Sequence, residues 1–240
     1  MASAGARNDK GGEKGDKPTK IQFYVKAARA GNKREERVGD CPFCQRIYMI
    51  LCLKNAKGTC PFDVYTVNPK LESGALRTPP VLRDPVSERE FTDVSEMADY
   101  LEQVFTDIPL KAEDEEANAV GLDIYHAFNL FCRNWDPKKD EILKKKLING
   151  LQELEDFLSD EDKPEGPFLN GPQLCLADCS LLPKLHHVRV AGFEFKEFQI
   201  PDEFTAIHLY LDAWYQTDVY KETEYADEEV IDTWKEKRGK

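Results

Sequence analysis

The sequence predicts an α/β domain followed by an all-helical domain, and three observations support this fold class. Between residues 20 and 106, apolar residues recur first with the two-residue period of strands and then with the spacing of helices. Beyond an acidic linker at 107–118, they recur only at helical spacing. A chain of 240 residues with 41% hydrophobic content can bury one large core or two small ones. We therefore expect a disordered tail at 1–19, the α/β domain at 20–106 and the helical domain at 119–240.

The elements of the α/β domain follow from local patterns. Between residues 21 and 26, Ile21, Phe23 and Val25 alternate with more polar residues, which predicts a half-buried strand over 21–26. A helix begins at Cys41-Pro42, because proline fits the first helical position, where its missing N–H costs nothing. The other predicted elements are a strand at 62–67, a short strand after Pro80, a return strand at 90–92 and a helix at 93–105.

The second half of the chain contains helical patterns only. We expect helices near 119–134, 138–159, 176–191, 203–218 and 227–238. Asp178 is expected to cap the start of a buried helix together with Cys175, whose thiol is a weak substitute for a hydroxyl. His186 and His187 are adjacent and point in different directions on a helix, so we expect them to pack rather than to share a metal.

The charge balance restricts the partners of the protein. Thirty-three basic and forty-five acidic side chains give a net charge of −12 at pH 7, which argues against nucleic-acid binding. The N-terminal segment has no apolar core of a secretory signal, and no run approaches the roughly 18 apolar residues of a spanning helix. We therefore expect a cytoplasmic protein whose seven cysteines are reduced thiols.

The strongest chemical signal is Cys41-Pro42-Phe43-Cys44 at the predicted start of a helix. Unpaired backbone N–H groups and the helix dipole favour a thiolate at Cys41, and Cys44 is placed to resolve a mixed disulfide. Inert thiols and one half of a zinc site are the alternative readings. The spacing favours redox chemistry and no metal, because zinc needs a second ligand pair and the sequence contains no second CxxC.

Pro79-Pro80 precedes the predicted third strand, and on its own this pair indicates only a turn or a stiff linker. Between the CxxC motif and a hairpin, however, it favours a cis peptide bond, which proteins form almost only before proline. In thioredoxin-like folds such a cis proline faces the cysteine at the helix start.

These features, together with Leu176 to Val188 (LADCSLLPKLHHV), resemble the chloride intracellular channel (CLIC) family within the glutathione transferase superfamily. The similarity extends from about residue 20 to about residue 235 and includes Phe198-Gln199-Ile200-Pro201. It implies the glutathione transferase fold, in which a thioredoxin-like N-terminal domain packs on an all-helical C-terminal domain.

The resemblance also implies roles for individual residues. Cys41 matches the catalytic cysteine that forms a mixed disulfide with glutathione, and Cys44 matches a position that is serine in many relatives. The residues implied to bind glutathione are Lys26, Phe43, Arg46, Pro79, Pro80 and Asp93.

Three departures from the family pattern imply weak glutathione binding. Pro79 has no N–H to offer the tripeptide, and Val94 stands where transferases usually present a hydroxyl. The loop before Cys41 is also longer, with basic residues that would replace these contacts or cover the site. Those residues are Lys33, Arg34 and Arg37.

Three alternative functions follow. The first is a soluble, glutathione-dependent thiol–disulfide oxidoreductase, with glutathione as its thiol co-substrate. The second, implied by the family, is a membrane-inserted chloride channel formed through residues 41–67, although Lys54 and Lys57 make that segment a poor spanning helix. The third is a non-catalytic scaffold with cytoskeletal or signalling partners. We expect a cytoplasmic protein with a membrane-associated form, which contacts lipids on acidification or oxidation.

Overall fold

The computed structural model of the chain describes residues 20–29, 37–112 and 114–239. The expected tail at 1–19 and the loop residues Lys33 and Arg34 lie outside these ranges.

The N-terminal half contains a four-stranded mixed sheet with strand order β2-β1-β3-β4. Its elements are β1 (Ile21–Lys26), α1 (Pro42–Lys54), β2 (Phe62–Val67), β3 (Val81–Asp84), β4 (Arg89–Phe91) and α2 (Val94–Val104). β1 pairs in parallel with β2 and antiparallel with β3, so that Phe23 lies opposite both Val64 and Leu82. A parallel pair needs a crossover connection, and α1 provides it.

The C-terminal half is built of helices packed around one long central helix. Its elements are α3 (Glu115–Ala119), α4 (Ile124–Arg133), α5 (Pro137–Leu158), α6 (Leu176–Lys196), α7 (Thr205–Tyr215), α8 (Asp218–Thr223) and α9 (Asp227–Lys237). The central helix α6 contacts α3, α4, α7 and α9, and it also packs against α1 of the sheet domain. The buried residues of both halves therefore form one continuous apolar core.

The predicted fold class is confirmed, and two helix predictions need correction. The helix expected at 119–134 begins only at Ile124, because Gly121 adopts a positive φ of 76° that ends the preceding short helix. The single helix expected at 203–218 is two helices. Thr217 separates them, since its hydroxyl accepts a hydrogen bond from the backbone N–H of Tyr220 and so starts α8.

The packing roles expected for α6 are confirmed. Asp178 is fully buried and accepts hydrogen bonds from the backbone N–H groups of Leu169 and Cys175 and from the Tyr210 hydroxyl. His186 and His187 are both buried and contact tyrosine hydroxyls on different sides of the helix. None of the helices within the described ranges is both long enough and apolar enough to cross a bilayer.

Lys54 ties the end of α1 to the end of α2. Its side chain is fully buried and forms an ion pair with Glu102. Its Nζ also donates to the backbone oxygens of Phe105 and Ile108, at 2.9 and 2.7 Å. These acceptors lie at and beyond the C-terminus of α2, where carbonyl groups lack intrahelical partners, so a buried cation there is fully satisfied.

Candidate active site

Cys41 is the N-cap residue of α1, and its backbone is extended, with φ −115° and ψ 108°. The backbone N–H of Cys44 donates to the Cys41 sulfur, with 3.4 Å between N and Sγ. The sulfur thus occupies the capping position that a serine oxygen commonly takes, at a helix end where free N–H groups favour negative charge. Cys41 as a residue is partly exposed, whereas Cys44 beside it is buried.

The surroundings of Cys41 lower the pKa of its thiol. The largest cause is a hydrogen bond from the side chain of Cys44, and the N–H groups of Cys44 and Phe43 and the charge of Lys26 add to it, while burial opposes them. Cys44 is fully buried, and burial raises the pKa of its thiol well above the ordinary value. The geometry therefore assigns the thiolate to Cys41 and the protonated thiol to Cys44.

The thiol pKa values of the other five cysteines are raised, whereas that of Cys41 is lowered. Burial raises the pKa of Cys52, Cys60 and Cys175 to about 12 and that of Cys132 to about 11. Burial also raises the pKa of Cys179 well above its ordinary value. Among the seven cysteines, Cys41 has the thiol best suited to act as a nucleophile near neutral pH.

Lys26 reaches the site through an ion pair with the residue that precedes Cys41. Its Nζ lies 2.6 Å from Oδ1 of Asp40 and 2.9 Å from the Thr233 hydroxyl oxygen. The Thr233 hydroxyl in turn donates to Asp40 Oδ1 at 2.7 Å. Asp40 is buried, so this network holds the start of α1 against the C-terminal helix α9.

The C-terminal helix α9 is fixed beside the site by a second set of contacts, from Arg29. The backbone N–H of Arg29 donates to the Glu229 carboxylate at 3.0 Å, and its guanidinium donates to the Glu229 carbonyl and the Thr233 hydroxyl. The guanidinium also forms an ion pair with Glu236 at 3.2 Å. The helical domain therefore closes one side of the cysteine site.

The other predicted glutathione residues lie at the peptide bond before β3, at the start of α2 and on α1. The bond between Pro79 and Pro80 is cis, as expected. Asp93 is the N-cap of α2, where its Oδ1 accepts from the N–H groups of Ser95 and Glu96.

Phe43 and Arg46 extend from α1 in different surroundings. The Phe43 ring is 41% exposed and meets the Tyr125 ring edge-on, with 6.4 Å between centroids. Arg46 lines a cavity between the two domains, and its guanidinium interacts electrostatically with the carboxylates of Asp93 and Asp99.

Sequence reasoning missed the polar network around Asp40. An acidic residue directly before the CxxC motif was an available signal, because it would meet the lysine that ends β1. Thr233 carried no signal, since it lies 207 positions from Lys26 along the chain. Across the ranges that the structure covers, no group of three or more His, Cys, Asp and Glu side chains could hold a metal ion.

Comparison with known families divides the chain into two parts. Residues 19–108 match the family profile of the CLIC-like N-terminal domain. Residues 117–213 match that of the glutathione S-transferase C-terminal domain.

Curated relatives extend over most of the chain. Chloride intracellular channel protein 3 of Homo sapiens is 35% identical over 229 residues, which cover 85% of this chain and 91% of the relative. The protein of the same name from Mus musculus is 34% identical over 226 residues, with the same coverage.

Solved structures show the same architecture. The CLIC homologue EXC-4 from C. elegans superimposes with a TM-score of 0.77 at 26% identity, covering 92% of this chain and 82% of that one. The dehydroascorbate reductase of Chlamydomonas reinhardtii superimposes with a TM-score of 0.78 at 24% identity, covering 90% and 97%. At that identity the second likeness concerns the fold alone.

Proposed function

The chain belongs to the chloride intracellular channel family and has the glutathione transferase fold, and we propose that it is a glutathione-dependent thiol–disulfide oxidoreductase whose nucleophile is Cys41. The observation that carries the proposal is the position of Cys41 at the start of α1, where its sulfur accepts the N–H of Cys44 and its pKa is lowered.

The proposed reaction exchanges one disulfide bond for another. The Cys41 thiolate attacks the glutathione sulfur of a mixed disulfide between glutathione and a substrate thiol. The substrate leaves as a thiolate and takes a proton from water, while glutathione stays bonded to Cys41. A second glutathione thiolate then attacks the bound glutathione sulfur, which releases Cys41 as a thiolate and forms glutathione disulfide. Glutathione supplies both electrons.

Cys44 offers a second route, in which its sulfur attacks Cys41 and expels glutathione as the Cys41–Cys44 disulfide forms. The attacking species must be a thiolate, and burial keeps the Cys44 thiol protonated. We therefore propose that glutathione, rather than Cys44, resolves the mixed disulfide in most turnovers. In this account Cys44 acts chiefly as the hydrogen-bond donor that stabilises the Cys41 thiolate.

The residues proposed to hold glutathione fit a tripeptide with two carboxylates and one amine. Pro79 retains a carbonyl oxygen that can accept an N–H of the tripeptide, although it has no N–H of its own. Asp93 is exposed and offers a carboxylate for the γ-glutamyl amine. Lys26, Phe43, Arg46 and Pro80 complete the proposed set, with Lys26 supplying positive charge near the sulfur.

The test is turnover of a small glutathione mixed disulfide, coupled to glutathione and its reductase. Cys41→Ser is expected to abolish turnover, because a hydroxyl is not ionised at neutral pH and cannot form the mixed disulfide. Cys44→Ser is expected to retain turnover, since a serine hydroxyl and the unchanged backbone N–H still donate to the Cys41 sulfur. Wild-type turnover by Cys41→Ser would contradict the proposal.

The membrane-associated form, a cytoplasmic location and the scaffold role stay proposals for this chain. The two curated relatives are named chloride intracellular channel protein 3. In the present fold, residues 41–67 are divided into a helix, a 3₁₀ turn and a strand, and β2 pairs with β1 along its whole length. Insertion of this segment would require that sheet to open, so we place any lipid contact after a loss of native packing.

A further inference from the structure

A cavity of about 370 Å³ lies between the two domains, with lining residues from α1, α2, the linker and α6. Three of the side chains around it are cations: Arg46 of α1, Lys111 of the linker and Lys184 of α6. One carboxylate, that of Asp99, also lines it. A concentration of positive charge is unusual in a chain whose net charge is −12.

The guanidinium of Arg46 has no protein acceptor in this cavity. Its Nε is buried without a hydrogen-bond partner, and within the described ranges no carboxylate forms an ion pair with it. Arginine carries five N–H donors, and buried polar groups in native proteins are nearly always paired. Burial also lowers the pKa of Arg46, the direction expected for a cation held partly away from water.

Lys184, on α6 of the helical domain, is a second partly buried cation beside the cavity. Its Nζ has a single neutral partner, the Ser180 hydroxyl, at 3.1 Å. Burial lowers the pKa of Lys184, and the charge of Arg46 lowers it further. Arg46 and Lys184 are therefore two partly buried cations that repel each other across the cavity. The Nε of Arg46 is an N–H donor there without a partner among the described residues.

We propose that this cavity binds the carboxylate or phosphate group of a small anionic molecule. The planar guanidinium of Arg46 suits two-point contact with such a group, while Lys184 and Lys111 act as point charges. The cavity volume lies in the range of sites for small molecules. An anion here would accept hydrogen bonds from these donors and would also reduce the repulsion between Arg46 and Lys184.

The anionic group has two sources. Arg46 belongs to the proposed glutathione set, so a carboxylate of glutathione is one source, and a free phosphate or dicarboxylate is the other. Both present the same chemistry to the three cations. The anion site does not depend on thiol exchange at Cys41, and it is therefore tested with the sulfur removed.

The experiment is a calorimetric titration of Cys41→Ser protein at constant ionic strength, once with inorganic phosphate and once with S-methylglutathione. Saturable binding of at least one ligand is expected.

Lys184→Gln should weaken this binding about tenfold, because one charge-assisted hydrogen bond is lost. Asp99→Asn should tighten it several-fold, since the variant removes the carboxylate found among the described lining residues, and a merely structural defect would not produce a gain. Lys144→Gln, on the exposed side of α5, is the matched control and should bind as the parent does.

Binding of phosphate that Lys184→Gln weakens would assign the cavity to a free anion, and binding of S-methylglutathione alone that Lys184→Gln weakens would assign it to glutathione; either result supports the site. The proposal is overturned if neither ligand binds with a Kd below about 10 mM. It is equally overturned if Lys184→Gln and Asp99→Asn both bind as the parent does. Turnover is measured separately on the protein with unmodified Cys41, so normal turnover together with either failure would remove the anion site and leave the proposed function standing.

Discussion

The indole N–H of Trp234 donates to Nδ1 of His187 at 3.0 Å, and both side chains are fully buried. Because an indole nitrogen can only donate, Nδ1 of His187 carries no proton. The proton is therefore on Nε2, which donates to the Tyr225 hydroxyl at 3.0 Å. The bond between Trp234 and His187 joins α9 to α6, and it requires a neutral imidazole.

We predict that the unfolding free energy decreases as the pH falls below about 6.5. Burial lowers the pKa of His187 well below that value, with the charges of His186, Lys237 and Lys26 adding to the effect, and burial also lowers that of His186. A base whose folded pKa is depressed binds more protons when unfolded, so acid favours the unfolded chain by up to about 1.4 kcal/mol per pH unit for each histidine. Chemical denaturation at pH 7.5, 6.5 and 5.5 measures the slope.

His187→Asn keeps an acceptor for the indole N–H and cannot be protonated, so its slope should be smaller. His126→Asn alters an exposed histidine and should leave the slope unchanged. A wild-type slope in His187→Asn would show that this histidine does not control the acid sensitivity.

We predict that Cys41 is alkylated by iodoacetamide at lower pH than any other cysteine. Its thiol pKa is lowered, whereas burial raises those of Cys52 and Cys60 to about 12. Peptide mapping after timed labelling between pH 5 and pH 9 gives the rate at each site. Equal rates at these three positions would remove the basis for assigning the nucleophile.

Thr233→Val is expected to destabilise the protein by about 1–3 kcal/mol. The change removes the hydroxyl that accepts from Lys26 and Arg29 and donates to Asp40, and it leaves that carboxylate buried with fewer partners. Thr233→Ser retains the hydroxyl and should stay near wild type. Chemical denaturation of the two variants measures the difference in stability. Equal midpoints for Thr233→Val and Thr233→Ser would mean that the network does not hold α9 in place.

Membrane association is expected to increase with acid and with peroxide and to be weak in reducing buffer at neutral pH. The net charge of −12 repels anionic bilayers until carboxylates are protonated near pH 4. A hydrogen bond with His186 lowers the pKa of Asp227, and one with Arg29 lowers that of Glu236. Because folding lowers these two pKa values, the carboxylates of Asp227 and Glu236 stabilise the protein at pH values above the ordinary carboxyl range. This stabilisation is lost as the pH falls from that range to the lowered pKa values, which loosens α9 at both ends.

Co-sedimentation with anionic liposomes from pH 7.5 to 4.5, with and without peroxide, measures this association. Interfacial binding is expected rather than spanning. Binding that does not change with pH, or a protease-protected segment at 41–67 in neutral reducing buffer, would contradict this expectation.

The fold could be predicted from the sequence where one local pattern determines an element. β1 and β2 have the predicted bounds, because their apolar and polar residues alternate and turn signals flank them. The start of α1 followed from Pro42 in the same way. The helix breaks at Gly121 and Thr217 were not predicted, because the apolar pattern is helical on both sides of each break. The positive φ of Gly121 and the capping hydroxyl of Thr217 cause these breaks.

The surroundings of the site depend on contacts between distant parts of the chain. The CxxC motif indicates a reactive sulfur by itself, but the ion pair of Lys26 with Asp40 and its link to Thr233 require the folded helical domain. The unpaired guanidinium of Arg46 is likewise invisible in the sequence, where this residue is simply the second after the motif. Periodicity shows which side of a helix faces inward, and it does not show which partner is found there.

The most direct test of the central claim is mass spectrometry of the native protein after brief incubation with glutathione disulfide, followed by peptide mapping. The account predicts one glutathione per chain, attached to Cys41, with the same result in Cys44→Ser. An unmodified Cys41, or glutathione spread over Cys52 and Cys60 at comparable levels, would contradict the assignment of Cys41 as the nucleophile.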